Sequence, residues 1–121
     1  MRKFLNSFRF AFAGLGHLLR TQRNARIHLL AALVVIGAGL ILKISRVDWA
    51  WLIVAIAMVF AAEAFNTALE LLADRITTEQ DEKIRRTKDV AAAAVLFTAL
   101  GAVGIGLVIL GPYLCALWGS S

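Results

Sequence analysis

Three long apolar segments constrain this sequence more than any other feature. Residues 29–42 and 90–121 contain no charged side chain, and residues 49–73 contain only two. A transmembrane helix needs about 20 predominantly apolar residues. We therefore predict an all-α integral membrane protein with three transmembrane helices. The predicted spans cover approximately residues 27–44, 49–73 and 90–113.

The first predicted span is the shortest. Its uncharged part reaches membrane-spanning length only when His28 and the aliphatic stems of Arg26 and Lys43 extend it. The second span has Trp49 and Trp51 at its start, where aromatic residues commonly meet the membrane interface. We interpret all of residues 1–121 as one domain.

The first 25 residues predict an amphipathic helix on the membrane surface. Apolar side chains recur there at helical spacing, with arginines and a lysine between them. The apolar residues are Phe4, Phe8, Ala11, Phe12, Leu15, Leu18 and Leu19. Phe10 lies outside this stripe, so docking of the helix into a soluble partner's groove stays an alternative.

Composition excludes some functions and leaves others open. Although the net charge is +5, the aromatic residues lie in apolar runs and not among the basic residues, which argues against nucleic-acid binding. Anionic lipid headgroups or nucleotide phosphates are better counter-ions. The single cysteine, Cys115, excludes an intrachain disulfide and a cysteine metal cluster.

The distribution of basic residues predicts the orientation in the membrane. Six lie in the segment that ends at Arg26, two in residues 43–48, five in residues 75–88 and none beyond. Because loops rich in Lys and Arg stay in the cytoplasm, we place the N-terminus and the second loop on the cytoplasmic side.

The second predicted span carries a polar face. At about 100° per residue, Glu63, Asn66, Glu70 and Asp74 fall within roughly 80° of one another. A carboxylate at the centre of a membrane costs about 2.5 kcal/mol or more, so this face predicts a watered or protein-lined functional site. The alternative is that these groups hydrogen-bond between helices or subunits and only fix the packing.

The axial spacing gives the two glutamates different roles. Glu63 and Glu70 are separated by seven residues, or about 10 Å along a helix, which is too far for them to share one metal ion readily. Glu70 lies nearer the cytoplasmic end, where a hydrophilic cofactor can reach it. Glu63 lies deeper, where it can act as a general base toward a lipid hydroxyl. Asn66 lies between them and can position either substrate.

Lys88 and Asp89 stand at the cytoplasmic start of the third span, level with Asp74. Lys88 is a candidate phosphate ligand, although such neighbours are also common as ordinary surface charges. The sequence contains no Walker A motif, no kinase glycine loop and no zinc-protease HExxH motif. A nucleotide site in this chain must therefore be of another kind.

The segment EAFNTALELLADR, from Glu63 to Arg75, is followed by KDVAAAAV, which begins at Lys88. This E-x2-N-x3-E-x3-D pattern with a following K-D resembles the prokaryotic diacylglycerol kinase family, which includes the undecaprenol kinases. The resemblance extends over nearly the whole chain and includes the amphipathic helix and the segment from Asn24 to His28 at the start of the first span.

The resemblance implies a homotrimer in the bacterial inner (cytoplasmic) membrane that transfers the γ-phosphate of ATP to a lipid hydroxyl, with Mg²⁺, at composite sites between subunits. It implies that Glu63 is the general base, that Asn66 positions the reactants and that Glu70 binds Mg²⁺. It also implies that Lys88 and Asp89 belong to the nucleotide site. Further candidate nucleotide contacts are Glu79, Gln80, Asp81 and Phe10.

One position departs from the family pattern. Gln22 stands two residues before Asn24, where the family commonly has a glutamate that is a second ligand for the metal. An amide oxygen can still coordinate Mg²⁺, so we expect weaker metal affinity and not loss of activity. His28 is interpreted as a hydrogen-bonding anchor at the membrane interface, with substitution for the missing glutamate as the less favoured alternative.

Two functions remain open at this stage. The leading hypothesis is a lipid kinase acting on diacylglycerol or undecaprenol. The alternative is a non-catalytic oligomeric membrane protein on the same scaffold, weakened or silenced by Gln22. Only the kinase explains why Glu63, Asn66, Glu70 and the Lys88-Asp89 pair occur together at matching spacing.

Overall fold

The computed structural model describes residues 1–119, and these residues form four α-helices and no strand. They are α1 (Arg2–Thr21), α2 (Arg23–Leu42), α3 (Arg46–Ile76) and α4 (Glu82–Gly119). Helices α2, α3 and α4 are each long and apolar enough to cross a membrane. The prediction of an all-α chain with three such helices is confirmed. The predicted domain of residues 1–121 extends two residues beyond the part described.

Helices α1 and α2 are separated by a single residue in extended conformation. Gln22 has φ −110° and ψ 112°, so α1 ends at Thr21, four residues before the predicted end of the amphipathic helix. The Arg26 guanidinium donates hydrogen bonds to the carbonyl oxygens of Leu19 and Arg20, at 3.0 and 3.1 Å. Because the last carbonyls of a helix lack partners within it, this contact closes α1 and joins it to α2.

The turn between α2 and α3 is fastened to α4. Lys43 adopts a left-handed conformation with φ 54°, and the Ser45 side chain caps α3 by accepting from the backbone N–H of Asp48 at 3.1 Å. The Tyr113 hydroxyl donates to Asp48 Oδ2 at 3.0 Å and accepts from the Ser45 backbone N–H at 3.3 Å. These bonds hold the three spans together at one end.

Few side chains are buried within the chain. Ile44, Leu52 and Ile109 form the core cluster, and Trp49 packs against it. By contrast, large apolar side chains are exposed along all four helices. A soluble monomer rarely exposes so much contiguous apolar surface, which is suited to lipid or to other subunits.

Helices α3 and α4 are longer than the hydrocarbon region of a bilayer is thick. Their 31 and 38 residues correspond to about 46 and 57 Å at about 1.5 Å per residue, against about 30 Å of hydrocarbon. Only residues 77–81 between them are not helical, so most of the polar stretch at 74–89 belongs to the two helix ends. This hairpin brings the end of α3 beside the start of α4.

Candidate active site

The polar residues of α3 form one stripe whose burial changes along the helix. Glu63 is buried, with only 2% of its surface exposed, whereas Asn66 and Glu70 are half-buried and Asp74 is exposed. The stripe therefore leads from the interior of the helical bundle to the surface near the end of α3. Glu63 is therefore more deeply buried than Glu70, as their spacing predicts.

The buried Glu63 faces α2. His28 Nε2 lies 3.1 Å from Glu63 Oε1, and the two side chains are 24% and 3% exposed. The distance is that of a hydrogen bond, but the two groups are not aligned as one, so Oε1 is left without a hydrogen-bond partner among residues 1–119. The contact is therefore a close approach of imidazole and carboxylate across two helices.

Two neighbours on the same turns of α3 also have unsatisfied oxygens. Within the described chain, Asn66 Oδ1 and Thr67 Oγ1 are buried and have no hydrogen-bond partner, like Glu63 Oε1. Each unsatisfied buried group costs about 1–3 kcal/mol, and native proteins satisfy nearly all of them. This concentration of unsatisfied oxygens makes the stripe a candidate site for a polar ligand or a second subunit.

Oxygen atoms suitable for a magnesium ion lie next to Glu70. The Asn66 side-chain N–H donates to Glu70 Oε1 at 3.3 Å, which leaves Asn66 Oδ1 on the same patch. The described residues contain no group of three or more acidic, His or Cys side chains arranged for a metal. Magnesium is usually held by one or two carboxylates together with substrate phosphates, so Glu70 and Asn66 fit such an ion.

Gln22 is the single non-helical residue between α1 and α2. Its backbone N–H donates to the Leu18 carbonyl oxygen, and its side chain is half-buried. No hydrogen bond of its side chain is found among the described residues, so the amide is not committed elsewhere in this structure. Its assignment as a second magnesium ligand stays a prediction.

Lys88 connects the start of α4 to the stripe. Its Nζ lies 2.6 Å from Asp74 Oδ1. Lys88 and Asp74 therefore lie at the same height along the bundle, as the sequence predicts. Asp89 is exposed, and its side chain has neither an ion pair nor a hydrogen bond within residues 1–119. Both residues therefore lie in the first turns of α4, and Lys88 contacts the exposed end of the stripe.

An open cavity of about 480 Å³ lies over the α3–α4 turn. Its lining includes four of the residues predicted to contact a nucleotide, which are Glu79, Gln80, Asp81 and Lys88. Asp81 also caps α4, because its Oδ1 accepts from the backbone N–H groups of residues 83 and 84 at 2.9 and 3.1 Å. One of its carboxylate oxygens is thus already engaged.

The charges around this cavity are mixed. The acidic residues of the lining are Glu79, Asp81 and Glu82, and the basic ones are Arg85 and Lys88. Glu82 forms an ion pair with Arg85 at 2.8 Å. Phosphates alone would meet repulsion from the carboxylates, so a cation that accompanies the phosphates suits this lining.

Phe10 lies on the exposed surface of α1, with 69% of its area open. The one buried residue of α1 is Leu18, near its end. The predicted contact between Phe10 and a nucleotide stays a prediction.

An apolar cavity of about 370 Å³ begins at His28 and continues between α2, α3 and α4 as far as Leu114. Much of its lining consists of small side chains, including Ala32, Ala55 and Gly106. The unsatisfied oxygens of α3 therefore stand at the junction of a polar surface and an apolar interior.

Sequence reasoning missed two features of the site. Thr67 follows Glu63 by four residues, so its place on the same face was readable from helical spacing. The approach of His28 to Glu63 joins residues 35 positions apart on different helices, and helical periodicity carries no information about such a pair.

Comparison with known proteins identifies a family and several relatives of this chain. The family profile "Prokaryotic diacylglycerol kinase" matches residues 9–110. Over 114 residues, which are 94% of this chain and 93% of the other, the chain is 34% identical to an undecaprenol kinase of Bacillus subtilis. It is 38% identical to a diacylglycerol kinase of Synechocystis over 93% of this chain and 65% of that protein. It is also 32% identical to a diacylglycerol kinase of Haemophilus influenzae, over 84% of this chain and 85% of the other.

Proposed function

This chain belongs to the prokaryotic diacylglycerol kinase family, a family of membrane lipid kinases, and we propose that it transfers the γ-phosphate of ATP to the hydroxyl of diacylglycerol or undecaprenol. The observation that carries this proposal is the stripe on α3. A buried carboxylate, Glu63, and a shallow one, Glu70, lie on one helix whose end adjoins the cavity over the α3–α4 turn. A membrane acceptor and a water-soluble donor can meet along this stripe.

Glu63 acts on the lipid hydroxyl. Its carboxylate accepts the hydroxyl proton while the hydroxyl oxygen forms a bond to the γ-phosphorus. The bond from that phosphorus to the bridging oxygen breaks, and ADP leaves with the electron pair. Because Glu63 is buried, bulk water has little access to compete with the lipid as acceptor.

The nucleotide binds over the α3–α4 turn. Lys88 contacts its phosphates, with Glu79, Gln80 and Asp81 bordering the site and Asp89 beside it. Glu70 and Gln22 would hold Mg²⁺, and Asn66, whose amide donates to Glu70, would position the reactants. The ion would supply neutralisation of phosphate charge during transfer. The oxygen donors around Glu70 and the mixed charges of the cavity support this assignment.

We further propose that the chain works as a homotrimer with composite active sites. The unsatisfied oxygens on α3 and the apolar side chains exposed on every helix support completion of the site by a second subunit. The distribution of basic residues supports a location in the bacterial inner membrane with the N-terminus and active site facing the cytoplasm.

The test is transfer of labelled phosphate from ATP to lipid by the full chain in detergent. Diacylglycerol and undecaprenol are supplied in parallel, with and without excess Mg²⁺ and with a chelator as the negative control. We expect labelled product from at least one lipid, only when Mg²⁺ is present. Absence of product from both lipids at high Mg²⁺ would favour the alternative of a non-catalytic membrane oligomer.

A further inference from the structure

The transfer described above assigns no role to the contact between His28 and Glu63. We propose that His28 is a positioning residue: a small rotation of the imidazole lets its Nε2–H donate to Oε1 of the Glu63 carboxylate, which directs Oε2 toward the acceptor hydroxyl. This inference rests on the proposed function, because it gives His28 a role only if Glu63 is the base. The 3.1 Å separation of His28 Nε2 from Glu63 Oε1 is the observation behind it.

Nothing else in the described chain orients this carboxylate. Within residues 1–119, the Glu63 side chain makes no other ion pair and no hydrogen bond, although it is almost fully buried. Carboxyl torsions have broad energy wells, so an unrestrained Glu side chain samples many orientations. A base must lie within hydrogen-bond reach of the proton that it removes, and a restraint on one oxygen reduces the orientations available to the other.

The helices hold the two side chains at this separation. On α2, Ala32 follows His28 by one turn, and on α3, Val59 precedes Glu63 by one turn; both are buried. A small residue such as Ala32 lets neighbouring helices approach closely in membranes. Packing of the surrounding turns therefore supports the contact, and the imidazole does not have to move far to reach the carboxylate.

A merely structural role is the competing explanation. In that case the imidazole would only join α2 to α3, and its removal would lower stability and disturb all kinetic constants together. A positioning role predicts a selective loss in kcat, because the bound reactants stay in place while the base loses its orientation. The two explanations are separable by the choice of substitution.

Two substitutions at residue 28 make this distinction. Gln keeps an N–H donor close to the position of Nε2, whereas Leu keeps similar bulk at the end of the apolar cavity but has no polar atom. The other histidine of the chain, His17 on α1, provides the matched control as His17→Leu. Stability and oligomeric state of each variant are measured in the same detergent.

The experiment measures kcat and the KM values for ATP and lipid with the full chain. We expect His28→Leu to lower kcat roughly tenfold or more, as removal of a preorganising contact commonly does, with both KM values little changed. His28→Gln should keep most of the activity, and His17→Leu should match the wild type. In a Glu63→Asp background, where the shorter carboxylate has already lost the contact, His28→Leu should cost much less.

Several results would overturn the inference. Wild-type kcat in His28→Leu would do so, as would an equal loss in the Gln and Leu variants accompanied by lower stability. A full additional loss in the Glu63→Asp background would mean that His28 acts independently of Glu63. If the wild type itself phosphorylates neither lipid, the proposed function fails and the role of His28 fails with it, which is a distinguishable outcome.

Discussion

Lys88 and Asp74 form an ion pair that joins the start of α4 to the end of α3, with Lys88 Nζ 2.6 Å from Asp74 Oδ1. The two side chains are 37% and 59% exposed, and pairs this accessible contribute only about 0–1 kcal/mol to stability. The pair places the lysine at the edge of the cavity over the α3–α4 turn. Its main consequence is thus the position of a positive charge and not the stability of the fold.

We expect Lys88→Met to raise the KM for ATP by roughly tenfold or more, because a charge-assisted hydrogen bond contributes about 1.5–3 kcal/mol. The KM for lipid should change little. Asp74→Asn is the matched control, since it removes the ion pair but leaves the lysine charge in place. Steady-state kinetics in both substrates checks this. A rise in the KM for ATP in Asp74→Asn as large as that in Lys88→Met would assign the function to the ion pair and not to the lysine charge.

Because the side chain of Gln22 is neutral, we expect a carboxylate at this position to increase the affinity for Mg²⁺. Gln22→Glu should lower the Mg²⁺ concentration that gives half-maximal activity by several-fold, because carboxylate is the stronger ligand for Mg²⁺. Glu70→Gln should raise it. Titration of free Mg²⁺ at fixed ATP measures both effects. An unchanged Mg²⁺ requirement in Gln22→Glu would remove residue 22 from the metal site.

Close packing of Gly39 against Trp49 predicts a local loss of stability. A Cβ atom at Gly39 would lie 2.8 Å from Trp49 Cη2, so Gly39→Ala should destabilise the chain by about 1–3 kcal/mol. Gly37→Ala, on the same helix with nothing within 4 Å, should be neutral or stabilising because Ala favours helix. Thermal unfolding in detergent compares them. Equal midpoints for the two variants would contradict the packing described.

The hydroxyl of Tyr113 predicts a stability effect that leaves catalysis intact. Tyr113→Phe removes the hydrogen bonds to Asp48 Oδ2 and the Ser45 N–H, at a cost of about 1 kcal/mol. These residues lie at the end of the bundle opposite the candidate site. Thermal unfolding should show a lower midpoint, whereas the kinetic constants at low temperature should equal those of the wild type. A changed KM for ATP would be inconsistent with this separation.

The helices were largely predictable, because long uncharged segments and the spacing of apolar residues depend on local sequence. Their ends were less so. The amphipathic helix ends at Thr21 because Gln22 is extended, and nothing about a glutamine demands that conformation. The α3–α4 connection, residues 77–81, is shorter than the interval 74–89 between the second and third predicted spans. The reason is that Asp81 caps α4 and the charged residues after it are helical.

The candidate site was predictable where it lies on one helix. Glu63, Asn66 and Glu70 share a face at any helical pitch close to 3.6 residues per turn, so their alignment needs no tertiary structure. The proximity of His28 to Glu63 depends on how α2 packs against α3. Such contacts are set by interactions between helices, which a single sequence does not display.

The role of Glu63 as the general base is tested by the activity of Glu63→Gln, which keeps the size of the side chain and removes its ability to take a proton. Asp48→Asn, at the opposite end of the bundle, is the matched carboxylate control. Phosphate transfer from ATP to lipid is measured for the wild type and both variants at equal oligomeric state. We predict that Glu63→Gln loses kcat by at least about 10²-fold, the usual contribution of a general base, while Asp48→Asn stays near wild type. Wild-type kcat in Glu63→Gln would contradict the account.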